Sequence, residues 1–129
     1  MNLLDENIRQ DQEIIILRWG IKVRRLSREF ARRGIQDPDI LPLLHHLKSP
    51  TFFTHDRDFF VRKLVHQNYC LVWLDIYDGE AAAFTRRVLQ HTAFRTQAQR
   101  MGKVVRAHLN GLEYWDSRTG HKLTAKWPT

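Results

Sequence analysis

Thr51-Phe52-Phe53-Thr54-His55-Asp56-Arg57-Asp58-Phe59-Phe60 is an apolar run that ends in two carboxylates one residue apart, with a hydroxyl and an imidazole beside them. The aromatic residues favour a β-strand, and a strand apolar at consecutive positions is one buried on both sides of a sheet. Asp56 and Asp58 then stand where the strand leaves the core, the usual place for a ligand in an open α/β sheet. Carboxylates this close repel one another when both are ionised, so such a site needs a proton, a cation or free access to water. A hard divalent ion, magnesium or manganese, takes oxygen ligands and keeps waters, which suits phosphate-ester hydrolysis. A charged turn after a strand has the same two acids, and the pair alone does not separate these readings.

On the N-terminal side, Asn2-Leu3-Leu4-Asp5 is a second short apolar run closing on an acid, followed by Glu6 and Asn7. Laid parallel, the two strands bring Asp5 and Asp56 to one edge of the sheet, and Asp37, near a helix start, can approach from the side. A helix with one broad buried face is expected over 8–19, stopped by Gly20, and a short strand over 21–23. Residues 24–34 are a basic connector or helix with Leu26, Phe30 and Ala31 available for packing. A further helix follows, with Asp37 or Asp39 as its cap and Pro38 in its first turn, until Ser49-Pro50 breaks it. His45 and His46 are adjacent and so point apart on that helix.

Beyond the acidic motif the pattern gives a short helix over 60–67, a strand over 69–76 and a helix over 80–90. Three more strands are expected over 103–109, 111–115 and 121–127, as an antiparallel appendage or an extension of the main sheet. Trp115 and Trp127 either pack a small apolar surface or stack on bases.

A chain of 129 residues with 43% apolar content is most economically one domain. No apolar run approaches the roughly 20 residues of a membrane span, and the start lacks the segments of a secretory signal, so a soluble, cytoplasmic protein with no membrane partner is expected. The sole cysteine, Cys70, excludes an internal disulfide and cysteine-based zinc motifs, and reads as a small core residue. Residues 1–84 hold twelve Lys/Arg and twelve Asp/Glu, whereas 85–129 hold nine and two, so the whole formal excess of +7 lies in the last third. Such a segment can attract nucleic-acid phosphates or an acidic protein.

Taken together the acids form a more specific pattern: Leu3-Leu4-Asp5-Glu6-Asn7, then Gly34-Ile35-Gln36-Asp37-Pro38-Asp39-Ile40-Leu41, then Phe53-Thr54-His55-Asp56-Arg57-Asp58-Phe59. Over about residues 2–75 this resembles the PIN-like superfamily, particularly its compact branch with an Asp-Glu-Asn motif related to the Mut7-C ribonuclease domain. The resemblance implies a three-layer α/β/α domain with a mainly parallel central sheet, residues 103–129 forming a strand-rich C-terminal extension of the same domain. It implies a divalent-metal-dependent nuclease, an endoribonuclease, with Mg2+ or Mn2+ held by Asp5, Asp37, Asp56 and Asp58. Asp39 competes with Asp37 for the middle position, and Asp75 or Glu80 are weaker completing acids. Glu6 can accept a proton or form a salt bridge, while Asn7 and Thr54 are supporting polar residues. Arg57, with Arg100, Lys103 and Arg106 of the basic last third, are candidates for nucleic-acid contact. His55 points away from Asp56 and Asp58 if the segment is extended. The family commonly has a proline near the start of the helix after Asp-Glu-Asn; here Arg9-Gln10 stands instead, implying a different start.

The resemblance and the small size also suggest the toxin of a toxin–antitoxin pair, with RNA as substrate, an antitoxin over the acidic cleft, and homo-oligomerisation open. The alternatives are a noncatalytic nucleic-acid-binding or structural PIN-like module, a helix-turn-helix DNA-binding regulator built on residues 22–47, and a small phosphatase.

Overall fold

The structure, a computed structural model, describes residues 1–29 and 37–128, apart from the side chains of Glu29 and Asp37. The packing expected of Phe30 and Ala31 falls outside the described residues.

The protein is a mixed α/β fold built on one seven-stranded, mostly parallel sheet. Its strands are β1 (Asn2–Leu4), β2 (Arg24–Arg25), β3 (Thr51–Thr54), β4 (Cys70–Asp75), β5 (Lys103–His108), β6 (Gly111–Asp116) and β7 (Lys122–Ala125), in the spatial order β2-β1-β3-β4-β5-β6-β7. The first five run parallel, whereas β6 and β7 return antiparallel and so extend the main sheet. The helices are α1 (Gln10–Arg18), α2 (Leu26–Glu29), α3 (Asp37–His46), α4 (Ala81–Gln90) and α5 (Gln97–Arg100).

Apolar doublets explain why the parallel strands sit inside. Successive side chains of a strand point to opposite sides, so a sheet covered on both needs apolar residues at neighbouring positions. Leu4, Phe53, Val72 and Val105 belong to one buried cluster with Ile8, Ile16 and, from α4, Phe84 and Val88. Leu3, Phe52, Leu71 and Val104 belong to another, with Leu26 of α2 and Ile40 and Leu44 of α3. Each such side chain removed from water contributes roughly 1.5–3 kcal/mol before the entropy of ordering is subtracted.

Several local expectations shift. Helix α1 does end at Gly20, whose φ of +79° lets the amides of Gly20 and Ile21 reach the carbonyls of Leu17 and Ile16. Because Ile21 closes that cap, the next strand forms at Arg24–Arg25 rather than over 21–23. The buried face expected of α1 is there but partly polar: Gln12, Glu13 and Ile16 are buried, while Ile14 and Leu17 are 44% and 48% exposed. Gln12 is accommodated because its Oε1 accepts from the amide of Ala82 at 2.9 Å, capping α4, whose own preceding residue makes no side-chain cap. In place of a helix over 60–67 there are two 3₁₀ turns, Arg57–Phe59 and Arg62–Leu64, separated by Val61 in an extended conformation. Among the described residues no helix is long and apolar enough to cross a membrane.

Candidate active site

Strands β1 and β3 are neighbours in register, Leu4 opposite Phe53, so the residues that follow them emerge together at the carboxyl edge of the sheet. Asp5 begins the loop after β1, its amide donating to Phe53 O at 2.9 Å. Thr54 ends β3, fully buried, and its hydroxyl is the joint of the site. It donates to Asp5 Oδ2 at 2.7 Å and accepts from Asn7 Nδ2 at 3.1 Å and from the Asp56 amide at 3.0 Å. A hydroxyl has one proton and two lone pairs, so these three bonds use all of its capacity. Asp5 Oδ1 accepts from the Glu6 amide at 2.7 Å, Asn7 Oδ1 from the His55 amide at 3.1 Å, and Asp56 Oδ1 from the Asp58 amide at 2.9 Å. The last of these caps the Arg57–Phe59 turn.

The Asp5 carboxylate and the Asp56 backbone are thus joined through one oxygen although 51 positions separate them. Glu6, Arg57 and Asp58 are exposed beside them. His55 turns the other way: a carbonyl only accepts, so Nδ1 donates to Leu74 O at 3.0 Å, as the alternation of an extended segment requires. Asp37 begins α3, but its side chain lies outside the described residues, and Asp39 on the same helix is exposed. Among the described residues no group of three or more His, Cys, Asp or Glu is arranged to hold a metal ion. Carboxylate oxygens such as those of Asp5 and Asp56 are the ligand type that a hard divalent cation takes.

A residue that sequence reasoning passed over fixes the Asp5 loop. Arg25 Nη1 donates to the carbonyls of Asp5 and Glu6 at 3.0 and 3.3 Å, and Nη2 to Ile8 O at 2.8 Å. Its Nε donates to Glu13 Oε1 at 3.0 Å, and Arg28 Nη1 meets Glu13 Oε2 at 2.8 Å. Glu13 is 4% exposed and Arg25 11%, so the pair is dry, whereas Arg28 is largely in solvent. An arginine pair in a basic stretch offers no pattern from which these bonds could be read.

Burial alone would push the Glu13 carboxyl up, but Arg28 and Arg25 outweigh it and hold the group below its ordinary value of 4.5. A depressed folded-state value gives stability that is complete above the unfolded value and lost as pH falls through the folded one. Acid titration of the folded protein, followed by circular dichroism from about pH 5 downward, should therefore show a loss of stability that is reduced in Glu13→Gln. Equal acid sensitivity in the two proteins would remove Glu13 as its source.

The basic residues expected to contact nucleic acid are placed differently. Arg100 is buried, donating to Thr51 Oγ1 at 3.0 Å and to the carbonyls of Phe94 and Arg95. Lys103 is buried too, its ammonium on Ala93 O at 2.9 Å and beside the Phe94 and Tyr114 rings. Both tie α5 and its flanking loop to the sheet, so the expectation of a phosphate-contacting surface at these two is corrected. Arg106 is part-exposed and pairs with Asp75 at 2.7 Å and with Glu113. Asp75 is accordingly engaged on β4 and does not join Asp5 and Asp56. Cys70 is fully buried, and burial pushes its thiol up to about 12, which suits a core residue and not a nucleophile.

No family model, no curated protein and no solved structure matches the chain.

Proposed function

We propose that the chain is a divalent-metal-dependent nuclease with a three-layer α/β/α, PIN-like architecture, hydrolysing phosphodiester bonds in RNA from within the strand. The observation that carries this reading is that the Thr54 hydroxyl ties the Asp5 carboxylate to the backbone amide of Asp56, so that the two acids leave adjacent strands at the same carboxyl edge of a parallel sheet. The apolar clusters on the two sides of the sheet support the layered architecture, and the resemblance noted in the sequence supplies the reaction class.

Asp5 and Asp56 would hold Mg2+ or Mn2+, with Asp37 the further acid that the sequence offers and Asp58 at the margin. When bound, such an ion supplies Lewis acidity toward the phosphate and makes water a better nucleophile at neutral pH. The chain's own part is orientation and charge. Thr54 and the Glu6 amide fix the Asp5 carboxylate, the Asp58 amide fixes that of Asp56, and Arg25 fixes the loop that carries Asp5. Glu6 would take a proton from the attacking water and Arg57 would meet a phosphate oxygen, roles that the exposure of both side chains supports. In the toxin reading an antitoxin would cover this edge.

The helix-turn-helix alternative draws less support, because Arg24 and Arg25 pair with β1 and Leu26, Ile40 and Leu44 are buried against the sheet. Incubation with single-stranded RNA, duplex RNA and DNA, in magnesium, manganese or EDTA, tests the proposal. Cleavage should need the metal, and Asp56→Asn should slow it by about 100-fold, the scale on which loss of one charge-stabilising group acts. Cleavage that persists in EDTA would sink the assignment, and no cleavage of any substrate with either metal would leave the noncatalytic module in its place.

A further inference from the structure

We propose that the part-exposed ring cluster that Phe60 forms over the sheet with Trp73 of β4 and Trp115 of β6, between the acidic edge and β7, is a stacking platform for a single-stranded polynucleotide. Alternation along the strands decides which residues share it. Leu3 and Phe52 lie on the α3 side, so Asp5 and Thr54, two positions on, lie on that side as well. Leu71 and Val104 carry the same side through to Trp73 and Arg106. Pairing across the antiparallel strands, Arg106 with Glu113, Val104 with Trp115, and Trp115 with Lys122, continues it to the far edge. With strands about 4.8 Å apart, four strand-to-strand steps from Thr54 to β7 cover roughly 19 Å, room for a few nucleotides.

On the opposite side α4 packs Phe84 and Val88 into the core beneath these strands. On this side the rings of Phe60, Trp73 and Trp115 form a part-exposed cluster, with Phe60 at 5.7 Å from Trp73 and 4.6 Å from Trp115 between ring centres. Cations lie against it: the Arg106 guanidinium is 5.5 Å from the Trp73 ring centre and the Lys122 ammonium 5.4 Å from that of Trp115. The acids on the same surface are neutralised in place, Asp75 and Glu113 by Arg106, and Glu113 also by Lys122. Exposed Arg57, Arg62 and Lys63 stand along the 3₁₀ segment that carries Phe60.

A part-exposed ring cluster for bases, exposed Arg57 and Lys63 for phosphates and the acidic edge on the same side of the sheet together select a single strand. The bases of a duplex are already stacked on one another and cannot lie on these rings, whereas any unpaired base can. The inference rests on the nuclease reading for its purpose, since it would lead a strand to the acidic edge, but the binding it describes can be measured apart from cleavage.

The whole protein in EDTA is titrated into a fluorescein-labelled polyuridine of roughly 12 nucleotides, and into an RNA duplex of similar length, following anisotropy and tryptophan emission. The single strand should bind with quenching of tryptophan emission, and at least about tenfold more tightly than the duplex. Trp115→Leu should weaken single-strand binding by about tenfold, the scale of one lost base stack. Lys122→Glu, at an exposed position and with the fold checked by circular dichroism, should weaken it by at least about threefold and flatten its salt dependence. Duplex bound as tightly as single strand, no binding to the single strand, or unchanged affinity in Lys122→Glu would each overturn the platform. Single-strand binding in a protein that cleaves nothing overturns only the nuclease reading, whereas RNA cleavage that both substitutions leave intact, without single-strand affinity, overturns only the platform.

Discussion

Asp5→Asn should lower metal-dependent RNA cleavage by about 10²–10³-fold while the protein still folds. The change removes one negative charge from the edge where a cation would sit, and it also sets two hydrogen bonds against each other. The native carboxylate accepts from the Glu6 amide and from the Thr54 hydroxyl. An amide has one accepting oxygen. If that oxygen faces Glu6, its NH2 meets a hydroxyl whose lone pairs already serve Asn7 and Asp56; if it faces Thr54, NH2 confronts the Glu6 N–H. One donor is stranded either way, at about 1–3 kcal/mol, enough to loosen the loop without unfolding a domain. Single-turnover cleavage rates with parallel thermal melts check this. A rate within a few-fold of the native protein would take Asp5 out of the chemistry. Thr54→Ser, which keeps the hydroxyl, should stay close to native, and Thr54→Val should follow Asp5→Asn.

Arg25→Ala should cost about 3–5 kcal/mol of stability, the largest effect expected of any single substitution outside the apolar core. The side chain satisfies three carbonyls of the 5–8 loop and neutralises a carboxylate that is 4% exposed. Its removal strands that carboxylate, with only the solvent-facing Arg28 left to compensate. Denaturant unfolding measures the loss. The double substitution Glu13→Gln with Arg25→Ala should recover part of it, because no unpaired buried charge is then left beside α1. A loss below about 1 kcal/mol in Arg25→Ala would mean that water reaches Glu13 and that the pair acts as an ordinary surface bridge.

What was legible in the sequence follows from how each residue is used. Leu3-Leu4, Phe52-Phe53 and Leu71-Val72 announce strands buried on both sides because both members of each doublet need cover. Parallel pairing of the first two then brings Asp5 and Asp56 to one edge, so this part of the candidate site could be read from spacing and strand direction alone. Gly20 was legible because a positive φ leaves few other residues eligible. Arg25, Arg100 and Lys103 were not, since a basic residue looks the same in sequence whether its charge meets water, a phosphate or a ring of carbonyls inside the fold. The segment over 60–67 misled for a related reason. Phe60, Leu64 and Val65 have helical spacing, but they are used to cover one sheet surface from two separate short turns.

The antiparallel return of β6 and β7 has a consequence for how copies of the protein meet. A sheet that stopped at β5 would end in Lys103-Val104-Val105-Arg106-Ala107-His108, six residues of open amides and carbonyls able to template a neighbouring chain. With the return in place the boundary moves to β7, four residues long, where exposed Lys122 and Thr124 alternate with half-buried Leu123 and Ala125. The opposite boundary, β2, is only two residues long and both are arginine. Short, cationic margins at both ends guard the protein against growing strand by strand into fibrils, a safeguard that truncation before β6 would remove.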